Sequence, residues 1–192
     1  GDLGKFYIKD IEDVKKNSFP YLKISNKQTD RIRKLLPLNK KICGISWISK
    51  NDEIGKNKSL SLDQLKKILL LPNYVFVDLQ YGDTSKERNE FDLKHGVKVV
   101  KLDEIDNYND IYGLASLIKC CDIVLSVSNS TAHLSGGMGK KTFLMLPRGK
   151  GSLWYWSKQR EQSIWYKSVR VYEQSVANDW ESVIDSIYKI LS

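Results

Sequence analysis

From Lys41 onward the hydrophobic positions switch back and forth between a strand pattern and a helix pattern. Ile42-Cys43-Gly44-Ile45-Ser46-Trp47 is a short apolar run of strand type. A lysine-rich loop at 50–58 follows, and Ser61-Leu62-Asp63-Gln64 then has the spacing of a capping box. Leu62, Leu65, Ile68 and Leu69 share one helical face behind it, and Pro72-Asn73 stops the helix. Further strands are expected at 74–79, 97–101, 122–127, 142–146 and 169–172. Between them lie helices expected at 84–93, from Asp110 with Ile111, Leu114, Ala115 and Ile118 on one face, and from Ser128 to about Met138. A last helix is expected over 178–191, with a second box-like start at Asn178-Asp179-Trp180-Glu181.

Strands that alternate with helices, and central strands that are apolar on both faces, predict an α/β fold. The expectation is a doubly wound, mostly parallel, Rossmann-like sheet of about six strands with helices on both faces. Residues 1–40 have a different texture: charged, broken by Pro20 and Pro37, with short helical patterns at 10–17 and 26–36. They read as a lead-in or linker, and 41–192 as the domain proper.

Composition narrows the picture. Lys plus Arg number 31 against 23 Asp plus Glu, a net charge of +8 in 192 residues. Such a surface attracts phosphates, nucleotides, nucleic acid or acidic lipid. The three cysteines are odd in number, two of them adjacent, so no disulfide framework is expected and a reducing, cytoplasmic setting fits. With two histidines and no second Cys/His pair at ligand spacing, no metal site is expected. No apolar run reaches the ~18 residues of a membrane span, and no apolar stretch follows the first residues as in a secretory signal.

The sharpest local feature runs from Val127 to Gly139. An apolar strand ends, Ser128-Asn129-Ser130-Thr131 follow, and a helix begins. Free N–H groups at a helix start favour an anion, and the hydroxyls add donors. The same residues also serve as ordinary caps. Ser135-Gly136-Gly137 would let the helix lie close to a neighbour. His133, in the first turn, can reach a phosphate or ribose oxygen, or bond to local backbone. Neither the P-loop pattern nor Gly-x-Gly-x-x-Gly occurs, which disfavours a P-loop NTPase and a simple NAD enzyme. Lys56, Lys58 and Ser59 form a second polar cluster between a strand and a capped helix. If both strands are central, the two loops flank one crevice, where lysines suit a diphosphate. Gln80-Tyr81-Gly82-Asp83 ends another strand and can contact a base or sugar. Glu104, Asp106 and Asp110 can accept from hydroxyls or cap a helix. The loop 148–166 carries Trp154, Tyr155, Trp156, Trp165 and Tyr166, which suit sugar stacking or a domain interface. No RNA-binding motif accompanies them, so no nucleic-acid partner is expected.

Together these pieces resemble the C-terminal half of GT-B glycosyltransferases. The likeness is specifically to the heptosyltransferase-like, family 9-like domains found at the C-terminus of bacterial tetratricopeptide-repeat proteins. It rests on Gly44-Ile45-Ser46-Trp47, the run Gly55 to Leu62, Val77 to Asp83, Glu104-Ile105-Asp106 with Asn109-Asp110, and Ala115 to Ile118. It continues through Cys121 to Leu134, Gly137 to Lys140, Trp154-Tyr155-Trp156, Trp165 to Gln174 and Asp179-Trp180. The resemblance implies a domain that binds a nucleotide diphosphate sugar as substrate, with no further cofactor. It implies that Ser128, Asn129, Ser130 and Thr131 hold the diphosphate, that the lysine loop approaches across the crevice, and that Gln80, Tyr81 and Gly82 lie toward the nucleoside. The candidate donor-binding set is thus Trp47, Lys56, Lys58, Ser59, Gln80, Tyr81, Gly82, Asp106, Asp110, Ser128, Asn129, Ser130, Thr131 and His133.

Two positions depart from the family pattern. The better-known heptosyltransferases carry Asp-Thr-Gly where this chain has Ser128-Asn129-Ser130, and the repeat-protein relatives often carry Trp-Arg-Trp where it has Trp154-Tyr155-Trp156. A GT-B enzyme also needs an N-terminal acceptor domain, which holds the usual candidate base, and residues 1–40 are too short to be one. The expectation is therefore a fragment or truncated protein whose acceptor domain lies in the parent. The alternative is a non-catalytic, degenerate GT-B binding or interaction module.

Overall fold

The computed structural model describes residues 4–10, 12–14, 20–37, 39–156 and 161–192. Five strands form one sheet: β1 (Lys41–Ser46), β2 (Tyr74–Asp78), β3 (Ile123–Val127), β4 (Thr142–Leu146) and β5 (Val169–Glu173). Their order is β2-β1-β3-β4-β5, and every pair is parallel. The helices are α1 (Gly4–Tyr7), α2 (Asn26–Arg33), α3 (Gly55–Lys58), α4 (Lys66–Leu69), α5 (Ser85–His95), α6 (Ile111–Cys120), α7 (Ser130–Gly137) and α8 (Glu181–Leu191), with one 3-10 turn at Trp154–Trp156. The α/β, doubly wound, Rossmann-like expectation holds.

Among the described residues the strand count is five, against the about six expected. The strand expected at 97–101 is reduced to one parallel bridge, Val77 with Val100. It is held by Asp78 N donating to Val100 O at 2.7 Å and Val100 N to Phe76 O at 2.8 Å. This segment lies outside β2 with a single neighbour, and Lys98 and Asp103 face solvent, so hydration competes with pairing. Counting the bridge, the extended segments run third, second, first, fourth, fifth, sixth across the sheet. That is the Rossmann order, and its switch point falls between β1 and β3.

Successive residues of each strand enter opposite layers, as the period of two requires. Cys43, Ile45, Phe76, Leu125 and Phe143 pack with Leu62, Leu65, Ile68, Phe91, Val183 and Ile187. Ile42, Val77, Leu79 and Val124 pack on the other face with Ile32, Leu36, Leu114, Leu117 and Ile118. Each fully buried aliphatic side chain contributes about 1.5–3 kcal/mol. Burial on both faces is why these strands read as continuous apolar runs.

Packing also joins residues 20–36, read from sequence as lead-in, to the sheet. Ile32 and Leu36, on and just after α2, are 2 % and 3 % exposed and sit in the same layer as α6. Tyr21 N and Leu22 N both donate to Gly137 O, at 2.9 and 3.0 Å. The short helix expected at 10–17 includes residues 11 and 15–17, which lie outside the described residues; residues 12–14 are helical.

The helix starts behave unequally. The Ser61 box forms: Ser61 N donates to Gln64 Oε1 at 2.9 Å and Gln64 N to Ser61 Oγ at 3.2 Å. Asp110 caps α6 by accepting from Gly113 N at 2.7 Å. The box expected at Asn178 does not form. Asn178 takes a left-handed φ of 66°, and Asp179 accepts from Glu181 N instead. Close approach of α7 is real: a Cβ on Gly136 would lie 2.5 Å from the Tyr166 ring, and one on Gly137 2.9 Å from Leu22.

Candidate functional site

The crevice opens where the C-terminal ends of β1 and β3 lie side by side, with Ser46 in register with Ser126. Asn129 ties the two loops together. Its Nδ2 donates to Ser46 Oγ at 2.8 Å and to Ile48 O at 3.1 Å. Its Oδ1 accepts from Ser126 Oγ at 3.1 Å and from Thr131 N at 3.0 Å, which caps α7. Gln80 performs the matching task from β2. Its Oε1 accepts from Ser46 Oγ, Trp47 N and Ile48 N at 3.0, 3.1 and 2.9 Å. The end of β1 thus has an acceptor for each donor it would otherwise bury unpaired.

Two groups beside this scaffold are left without partners. Thr131, the second residue of α7, is fully buried and its Oγ1 makes no hydrogen bond among the described residues. Lys58, the last residue of α3, is 5 % exposed, and no ion pair or side-chain hydrogen bond holds it among the described residues. Burial pushes its pKa down from the usual lysine value. The loop after β4 packs against its stem: a Cβ on Gly151 would lie 3.0 Å from Lys58 Cγ. Lys56 is exposed. Ser59 braces the loop, accepting from Ser49 N at 2.9 Å and donating to Gly55 O at 2.7 Å.

An aromatic box closes the far side. His133 stacks on Trp156 at 4.5 Å and 25°, with Tyr155 at 5.6 Å and Tyr166 at 5.9 Å. Its Nδ1 is 3.1 Å from Tyr166 Oη, so the expectation of a bond to local backbone gives way to a distant side chain. Burial holds the His133 pKa below its usual value and keeps the ring neutral near pH 7. Trp156 Nε1 donates to Ser128 Oγ at 2.8 Å, so that hydroxyl is already engaged. Ser130 is exposed at the helix start.

The remaining candidates divide between lining and support. Trp47 is fully buried and its indole donates to Glu87 at 2.9 Å, which places it and Gln80 beneath the crevice as braces. Tyr81 is half-buried, its Oη accepts from Lys50 N at 2.8 Å, and its ring faces Tyr108 at 6.4 Å. Gly82 has φ 81°, and the Lys50 ammonium occupies the space a Cβ would need. Asp106 turns onto its own loop, accepting from Tyr108 N at 2.8 Å and Asn109 Nδ2 at 2.7 Å, which hold its pKa low. Asp110 is spent on the α6 cap.

Sequence reading missed a buried network beside Gln80. Asp78 accepts from Thr84 Oγ1 and faces Arg88 Nε at 3.2 Å and Lys101 Nζ at 3.9 Å. Burial raises its pKa, against the pull of Lys101 and Arg88. Asn107 donates to Asp78 O and Gln80 O at 3.0 and 3.1 Å, and its buried Oδ1 has no hydrogen-bond partner among the described residues. Nothing in the spacing of Asp78, Arg88 and Asn107 announces that they meet. Among the described residues no group of three His, Cys, Asp or Glu is placed to hold a metal.

No family model matches the chain. Protein FlbA of Caulobacter vibrioides is 30% identical over 146 residues, which is 75% of this chain and 24% of that protein. Among solved structures, E. coli ADP-heptose LPS heptosyltransferase II superposes with a TM-score of 0.62 at 13% identity, over 90% of this chain and 54% of that one. A family 9 glycosyltransferase from Veillonella parvula gives 0.54 at 11%, covering 82% and 43%. E. coli heptosyltransferase WaaC with ADP-2-deoxy-2-fluoro heptose gives 0.54 at 12%, covering 85% and 46%. The fold is heptosyltransferase-like. The chain spans about a quarter of the curated relative and about half of each of these enzymes. Among the described residues no helix is long and apolar enough to cross a membrane.

Proposed function

We propose that this chain is the donor-binding half of a glycosyltransferase and holds a nucleotide diphosphate sugar at the start of α7. The observation that carries this reading is Lys58, a cation in a largely enclosed position with no counter-charge among the described residues. It lies on the loop after β1, the strand adjacent to the one that feeds α7. A buried charge without a partner is costly, and a diphosphate is the partner that the neighbouring helix start also favours. The orphan Thr131 hydroxyl and the exposed Ser130 add donors there. When the glycosidic C–O bond breaks, negative charge grows on the leaving diphosphate. An ammonium group and fixed N–H dipoles stabilise that charge more than they stabilise the bound donor. Tyr81 and Gly82 then lie toward the nucleoside.

The acceptor half and the catalytic base we assign to a longer, cytoplasmic parent that carries tetratricopeptide repeats. The sequence resemblance and the chain's 54% coverage of heptosyltransferase II support that assignment. A second reading, a non-catalytic module that keeps the fold, is favoured by one observation. At the Ser128-Asn129 departure from the family pattern, both side chains are committed to internal bonds. Sugar transfer by the parent protein would exclude it.

Calorimetric titration with ADP, GDP, UDP and their hexose conjugates tests the donor site. One of them is expected to bind, and Lys58→Met and Thr131→Val are each expected to weaken it about tenfold, the cost of a lost hydrogen bond to a charged group. No binding at millimolar ligand, or unchanged affinity in both variants, overturns the proposal.

A further inference from the structure

The turn at Trp154–Trp156 presents two anchored residues and one free one. Trp156 is fully buried, bonded to Ser128 and stacked on His133. The Tyr155 carbonyl accepts from Trp165 Nε1 at 2.8 Å, and its ring lies 5.6 Å from His133. Trp154, on the same turn, is 76% exposed and meets Tyr155 edge-on at 5.9 Å and 82°. A large indole is therefore held in water next to two anchored residues of its own turn.

Its place is informative. The rings of Trp154, Tyr155 and His133 make a continuous run that ends in the first turns of α7, where the diphosphate is placed. On the other side, Gly151 of the same loop packs on Lys58. The group joined to the β-phosphate extends past the helix start, and Trp154 is the exposed ring at the open end of this run. We infer that Trp154 is the platform on which the sugar of the donor stacks, and so a specificity-determining residue of this site. A pyranose offers one face of C–H bonds to an electron-rich indole while its hydroxyls stay hydrated. The surroundings fit a single amphipathic ring better than a protein partner. Among the described residues of its loop, Arg148, Gly149 and Lys150 are exposed and Leu153 and Tyr155 half-buried, so the indole is flanked by polar chain rather than by a run of exposed apolar side chains.

This inference rests on the donor-site reading, and one titration series separates the two. The full chain and its Trp154→Ala and Trp154→Phe variants are titrated with UDP-glucose, GDP-mannose and ADP-glucose, and with UDP, GDP and ADP. For a nucleotide that binds, Trp154→Ala should lose about fivefold in affinity for the sugar conjugate and nothing for the bare diphosphate, with Trp154→Phe within about twofold of wild type. Equal effects on conjugate and diphosphate, or none on either, overturn the platform and leave the diphosphate site standing. No binding of any probe by the wild-type chain removes both. Trp154 is exposed, so its loss leaves the core intact.

Discussion

Asn129 permits a separation of two roles in one side chain. Its Oδ1 caps α7 through Thr131 N, and its Nδ2 bridges to Ser46 Oγ and Ile48 O across the switch point. Serine caps a helix about as well as asparagine but is too short to bridge, and alanine does neither. Losing the two bridging bonds costs about 1 kcal/mol each, and losing the cap about 1 kcal/mol more. Asn129→Ser should therefore destabilise by about 2 kcal/mol and Asn129→Ala by about 3 kcal/mol, a sizeable part of the ~5–15 kcal/mol typical of a domain. Urea unfolding reads both, with an unchanged m-value showing that the folded core persists. A serine variant as stable as wild type would refute the bridge. Equal losses in the two variants would refute the cap.

Four further outcomes follow from the same packing. Lys58→Met should raise the melting temperature while weakening nucleotide binding, since it relieves an unpaired cation in a mostly buried position. Because the folded-state pKa of Lys58 lies below 10.5, the unfolded chain binds more protons in that window, and wild-type stability should climb toward pH 10.5 by an increment that Lys58→Met lacks. Burial likewise holds His133 below 6.5, so stability should fall as pH drops from 6.5 toward the lower folded value, and less so in His133→Phe when the two are compared between about pH 7 and 5.5. Gly136→Ala should cost about 1–3 kcal/mol in urea unfolding, because its Cβ would press on the Tyr166 ring at 2.5–2.9 Å.

What the sequence showed and what it hid have the same physical root. Ile42, Val124 and Phe143 announce strands because both faces of the sheet are covered, and the capped starts at Ser61 and Asp110 are local chemistry. The strand over 97–101 was over-read because periodicity does not report the lack of a second neighbour. The α2 segment was under-read because Ile32 and Leu36 are a short apolar signal among charges, and their burial depends on distant α6. In the candidate site, residue types at strand ends mark the loops around the crevice but not the direction of each side chain. Trp47 and Gln80 look like ligand contacts in sequence, yet both turn inward, Gln80 because the end of β1 carries donors that need an acceptor. The meeting of His133 with Tyr166, 33 residues apart, is a tertiary fact that no local spacing contains.

The proposed donor site holds a nucleoside diphosphate between Lys58 and the first turn of α7. A crystal structure of the chain with the tightest-binding of ADP, GDP and UDP tests it most directly. The expected result is β-phosphate oxygens within about 3 Å of Lys58 Nζ and of a backbone N–H or hydroxyl among Ser130 and Thr131. A nucleotide bound with its phosphates away from both would contradict it.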